Sequence, residues 1–123
     1  MSDQRSIILV PFPYSDQTGE KVRPALILSN PKFNKNQDII ACALTSQIKE
    51  RPYAIIITSD NTVNKNLKDK SQIRIDSIIK IKKDLIIKEI DVLDNESFKK
   101  VLDILNSIFY WFTIRDKEFE IGF

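Results

Sequence analysis

The sequence contains no histidine, only two glycines, one cysteine and one tryptophan in 123 residues. Without histidine, every mechanism that relies on an imidazole base is excluded, and most zinc sites with it. The lone Cys42 cannot form an internal disulfide, so a reducing, cytoplasmic setting is expected. Gly19 and Gly122 cannot make a Walker-type or dinucleotide-binding loop, because both loops need closely spaced glycines to bring backbone against phosphate. Long hydrophobic runs are missing as well. No stretch approaches the roughly 18 apolar residues of a membrane span, and Met1-Ser2-Asp3-Gln4-Arg5 is too polar to open a signal peptide. Catalysis in such a chain falls to carboxylates, lysine, arginine, hydroxyls or backbone amides.

What is present points to a mainly β protein. The length fits a single domain over residues 1–123, enough to bury a core without staples. Isoleucine dominates, with 21 copies, and β-branched residues favour strands. Ile7-Ile8-Leu9-Val10 reads as a strand buried on both faces and stopped by Pro11-Phe12-Pro13. Tyr14–Val22 carries turn chemistry and reads as a mobile loop. Further strands are expected at Ala25–Ser29, Ile39–Leu44 and Tyr53–Thr58, then an irregular crossing segment over Ser59–Ser71. Gln72–Asp76 and Ile78–Ile81 predict one bent strand or two short ones, and Asp84–Ile87 a turn of helix. Asp94 is a good N-cap, with Glu96 in the first turn. Phe98, Val101, Leu102, Leu105, Ile108, Phe109 and Phe112 then line one helical face. Phe119, Ile121 and Phe123 alternate with charges, as in an added edge strand. A small, strongly curved sheet or barrel with one late helix follows, with a two-layer α+β sandwich as the alternative.

Charge divides the chain. Residues 1–83 carry 14 Lys/Arg against 8 Asp/Glu, a net +6, and residues 84–123 carry 5 against 9, a net −4. A basic body suits a polyanion, although surface charge by itself also means solvation. Three segments offer site chemistry. In Lys21-Val22-Arg23-Pro24-Ala25-Leu26, proline holds Arg23 extended where a polar loop meets a strand, a position suited to phosphate capture or to an ordinary surface ion pair. In Ala43-Leu44-Thr45-Ser46-Gln47 an apolar strand ends in two hydroxyls and an amide, which are hydrogen-bond donors to a phosphate or simply the start of a turn. In Ser71-Gln72-Ile73-Arg74-Ile75-Asp76, the outward Gln72, Arg74 and Asp76 line a groove or form a wet strand face. Phe12, Tyr14 and Phe33 lie near the first loops, where aromatic rings stack on bases. Phe109, Tyr110, Trp111 and Phe112 suit core or dimer packing instead.

Taken in order with the opening Ile7-Ile8-Leu9-Val10-Pro11-Phe12-Pro13-Tyr14, these segments resemble the PemK/MazF family of toxin endoribonucleases. Val22-Arg23-Pro24-Ala25-Leu26-Ile27-Leu28-Ser29 is similar to that family's most recognisable signature, and Leu44-Thr45-Ser46-Gln47-Ile48 to its hydroxyl-bearing strand end. Asn66-Leu67-Lys68-Asp69-Lys70-Ser71-Gln72-Ile73-Arg74-Ile75-Asp76 resembles its late strand, and the likeness covers roughly residues 5–110. Arg5-Ser6 departs from the family's frequent Gly-Asp, and Ser46 from its small apolar residue. The resemblance implies an SH3-like, plasmid-maintenance-toxin barrel with a C-terminal helix, acting as a homodimer. It implies metal-independent cleavage of single-stranded RNA to 2′,3′-cyclic phosphate and 5′-hydroxyl ends, no cofactor, no membrane, and neutralisation by a cognate antitoxin. Arg23 and Thr45 then match the family's essential arginine and threonine. Gln72 matches its RNA-contacting glutamine, and Phe12 or Tyr14 its loop aromatic; Ser46, Gln47 and Arg74 complete the expected RNA contacts. Two other activities suit the same fold: a non-enzymatic inhibitor of a protein such as DNA gyrase, and an inactive RNA binder.

Overall fold

The computed structural model describes residues 2–13 and 20–110. Most of the expected Tyr14–Val22 loop, the end of the aromatic run at Trp111 and Phe112, and the expected tail strand lie outside the described residues. Among the described residues six strands form one antiparallel sheet: β1 Ser6–Pro13, β2 Glu20–Ile27, β3 Asp38–Thr45, β4 Ala54–Ile57, β5 Ser71–Lys82 and β6 Lys88–Val92. Their spatial order is β4-β5-β3-β2-β1-β6, and the sheet curls into a half-barrel with one late helix, α1, Asn95–Phe109. Of the two forms expected after residue 71, one bent strand or two short ones, a single strand is observed, and the helical turn expected at Asp84–Ile87 is a short 3₁₀ segment, Lys83–Leu85. β6 was not anticipated, because Lys88, Glu89 and Asp91 break its apolar pattern.

Alternation along the strands builds two cores, one on each side of the sheet. Ile7, Leu26, Cys42, Leu44, Ile73 and Ile75 pack with Phe98 and Val101 of the helix. Ile8, Val10, Phe12, Ala25, Ile27, Ile39, Ala41, Ala43 and Ile81 form the second cluster. The cross-strand pairs Ile7↔Leu26 and Ile8↔Ala25 keep each cluster on its own face. In β5 the register jumps from Cys42↔Ile78 to Ala43↔Arg74, so Ile75, Asp76 and Ser77 fall between two consecutive residues of β3. An odd number of extra residues inverts the faces. Ile73 and Ile75 therefore point under the helix, and Ile79 and Ile81 point into the other cluster.

β1 runs through both of its prolines instead of stopping before them. The Leu9 carbonyl accepts from the Ile87 amide (2.8 Å), so Pro11 and Pro13 turn their missing donors to the same side, beyond the last β6 pair at Leu9↔Lys88. Arg5 stands at φ 80°, a left-handed conformation that glycine enters more easily. Its amide donates to the Ile27 carbonyl (3.0 Å) and its Nη1 to the Leu93 carbonyl (2.8 Å), which hold it there. At the helix start, the Asp94 carboxylate accepts from the Ser97 amide (2.7 Å), as expected of an N-cap. Ile104, Leu105 and Ile108 pack partly against the first core, whereas Phe109 and Tyr110 are exposed.

Candidate active site

Pro24 opens the site. Leu28 donates to Ile40 on β3 (2.8 Å), while Ile27 accepts from the β1 side, so even-numbered residues of β2 face β3. Pro24 is the next even residue after Leu26 and has no N–H to give. The β2–β3 pairing ends at Ala25↔Ala43, although both strands continue. Extending that register by two residues sets Arg23 opposite Thr45. Both line a cleft of about 870 Å³, bounded by the ends of β2 and β3 that do not pair with each other, by residues 66–69 and 71 and by Lys88–Ile90 of β6.

Ser46 and Gln47 line the same cleft, as do Lys21, Lys68 and Lys88. The Gln47 amide donates to Thr45 Oγ1 (3.1 Å), which occupies an acceptor of that hydroxyl and leaves its O–H to donate outward. Among the described residues, four cations against Glu89 and Asp69 make the cleft lining basic on balance. One of the two acids is engaged within the chain: Glu89 accepts from the Ser6 hydroxyl (2.6 Å). Among the described residues no three His, Cys, Asp or Glu side chains gather as a set of metal ligands.

Not every expected contact lies in this cleft. Phe12 is buried in the second core, because its alternation matches that of Ile8 and Val10. Tyr14 lies outside the described residues. Gln72, opposite Thr45, is 4% exposed, and its amide is taken up within the chain. Its Oε1 accepts from Arg51 and from the Lys49 amide (3.3 Å), and its Nε2 donates to the Lys49 carbonyl (2.8 Å). Arg51 also donates to the Gln47 carbonyl (3.0 Å), so Gln72 folds the β3–β4 loop that carries Ser46 and Gln47. Arg74 is half-buried between Ala43 and Ala54 in register, away from the cleft lining, and its Nε is buried with no hydrogen-bond partner among the described residues.

Sequence reasoning missed Asp91. It is buried, and its carboxylate accepts from the amides of Asn64 (2.9 Å), Asn66 (2.6 Å) and Val92 (2.7 Å). Burial pushes its carboxyl up, but those amides and the Thr62 hydroxyl outweigh burial and hold it below the ordinary 3.8. No spacing rule marks an aspartate whose partners lie 25 and 27 residues away.

The model of the PemK-like, MazF-like toxins of type II toxin–antitoxin systems matches residues 3–109, most of the chain. The chain belongs to this family. No curated protein matches it. The fold of this family member is similar to that of a mycobacterial endoribonuclease in complex with its cognate antitoxin, at TM-score 0.71 and 16% identity over 89% of this chain and 95% of that one. It is also similar to MazE–MazF from Deinococcus radiodurans, at TM-score 0.70 and 19% identity over 88% and 95%. The Mycobacterium tuberculosis toxin MazF-mt6 gives TM-score 0.68 and 16% identity over 85% and 96%. Among the described residues no helix is long and apolar enough to cross a membrane.

Proposed function

We propose that this PemK/MazF-family chain is an endoribonuclease that cleaves single-stranded RNA in the β2–β3 cleft without a metal, and that its antitoxin acts by covering that cleft. The observation that carries this reading is the convergence of Arg23 and Thr45, from neighbouring strand ends, on one basic cleft. The substrate's own 2′-hydroxyl oxygen attacks the adjacent phosphorus. The bond to the 5′-oxygen then breaks, leaving a 2′,3′-cyclic phosphate and a 5′-hydroxyl. The 2′-hydroxyl proton must leave and the departing 5′-oxygen must gain one.

Between those two proton transfers, negative charge gathers on the non-bridging phosphate oxygens. A guanidinium and a hydroxyl fixed beforehand lower the barrier because they need not reorganise as that charge appears. Arg23 presents a planar fork of donors, and the Thr45 hydroxyl, its acceptor side engaged by Gln47, donates. In this reading Arg23 acts by charge and geometry. Lys21, Lys68 and Lys88 hold the flanking backbone.

Incubation with mixed-sequence RNA in EDTA tests the reading. Fragments ending in cyclic phosphate are expected, with the Arg23→Ala rate down about 10²- to 10³-fold by analogy with the loss of one oxyanion donor. RNA left intact by the wild type, or cut equally well by Arg23→Ala, refutes it. A homodimer belongs to the same proposal, and light scattering across a dilution series reports it.

A further inference from the structure

Asp91 ties two walls of the cleft together. Lys88–Ile90, the residues immediately before it, line one side, and its carboxylate grips the amides of Asn64 and Asn66, at the start of the segment that lines the other. Between those amides Lys65 stands at φ 58°, a left-handed conformation that a lysine does not adopt unforced. The turn is anchored again where the Val63 amide donates to the Val92 carbonyl (2.8 Å) and Thr62 bridges Leu93. Asn66 and Lys68 lie directly beyond this turn, in the cleft lining.

We infer that Asp91 is a positioning residue for the RNA substrate. Through the Asn64–Asn66 turn it sets the distance between the two walls and the reach of Lys68 toward the RNA backbone. It touches no reacting atom, so its effect falls on substrate binding and not on the chemical step. The inference rests on the RNA-cleavage reading above.

The test has two readouts. Cleavage of a short oligoribonucleotide is measured for Asp91→Asn, Lys68→Ala and the double variant, and amide hydrogen exchange is measured at Asn64 and Asn66. Asp91→Asn is expected to raise KM about tenfold and leave kcat within about twofold, with the double variant no worse than Asp91→Asn alone. Effects of Asp91 and Lys68 that simply multiply, or a fall in kcat at unchanged KM, overturn the inference. If Asp91→Asn does not fold, Lys65→Val forces a β-branched residue into the left-handed turn without touching the buried carboxylate. It should raise KM in the same way, and an unchanged KM overturns the inference. If the wild type cuts no RNA, the RNA-cleavage reading fails by itself, and exchange then decides the positioning role. Faster exchange at Asn64 and Asn66 in the variants supports it; unchanged exchange overturns it.

Discussion

Arg23 is the single side chain on which the proposed site can be tested most sharply. A lysine keeps the charge but replaces the planar fork with a point, so Arg23→Lys should recover little of the activity that Arg23→Ala loses. Recovery to near the wild-type rate in a single-turnover assay would mean that charge alone suffices. Asp91 makes a prediction about acid. Its carboxyl titrates below 3.8 in the folded chain, so its contribution to stability is fully present above that pH. The contribution is lost as the pH falls through the lowered value, and in Asp91→Asn the acid limb of a stability–pH curve should flatten below 3.8. Cys42 behaves oppositely. Burial, helped by the Asp76 charge, pushes its thiol up to about 12. The native protein should therefore resist iodoacetamide at pH 8, and the unfolded chain should react.

The elements carry the next layer. Pro24→Ala restores an N–H where β2 faces β3, and the two strands should pair one step further, over the mouth of the cleft. Hydrogen exchange should find that amide protected and RNA cleavage reduced; an unprotected amide with full activity would contradict this role for the proline. Helix α1 is held at its start by Asp94, and Asp94→Ala should cost about 1 kcal/mol in urea unfolding. Element by element, legibility in the sequence followed local physics. The helix was readable because its cap and its apolar spacing are both local, and β3 and β4 because their isoleucine runs are short and bounded. β1 was cut short at Pro11 because proline's tolerance depends on what lies beside the strand, which only the sheet order reveals. β6 stayed hidden because its charges serve the cleft and the Asp91 turn and do not form a polar face.

Across the molecule, the lining of the candidate site was legible where its residues come in short segments and obscure where they meet across the sheet. Arg23, Thr45, Ser46 and Gln47 were readable from strand ends, whereas Lys88, Asp91 and the inward turn of Gln72 follow from β6 and the β3–β4 loop. The +6 body of the chain holds three of the four cleft cations, so RNA binding should weaken steeply with salt. Lys68→Ala should lower the slope of log K against log salt by about 0.7, the value for one phosphate contact on a single strand. The three residues of β5 that β3 leaves unmatched also bear on how the gene can vary in length. Removing one codon from Ile75–Ser77 would leave two residues between the paired stretches, a number that plain alternation spans with Ile79 and Ile81 still in the core they fill. Removing two would leave a one-residue bulge, which inverts the faces as three residues do. Single-codon losses at this bend should therefore survive selection.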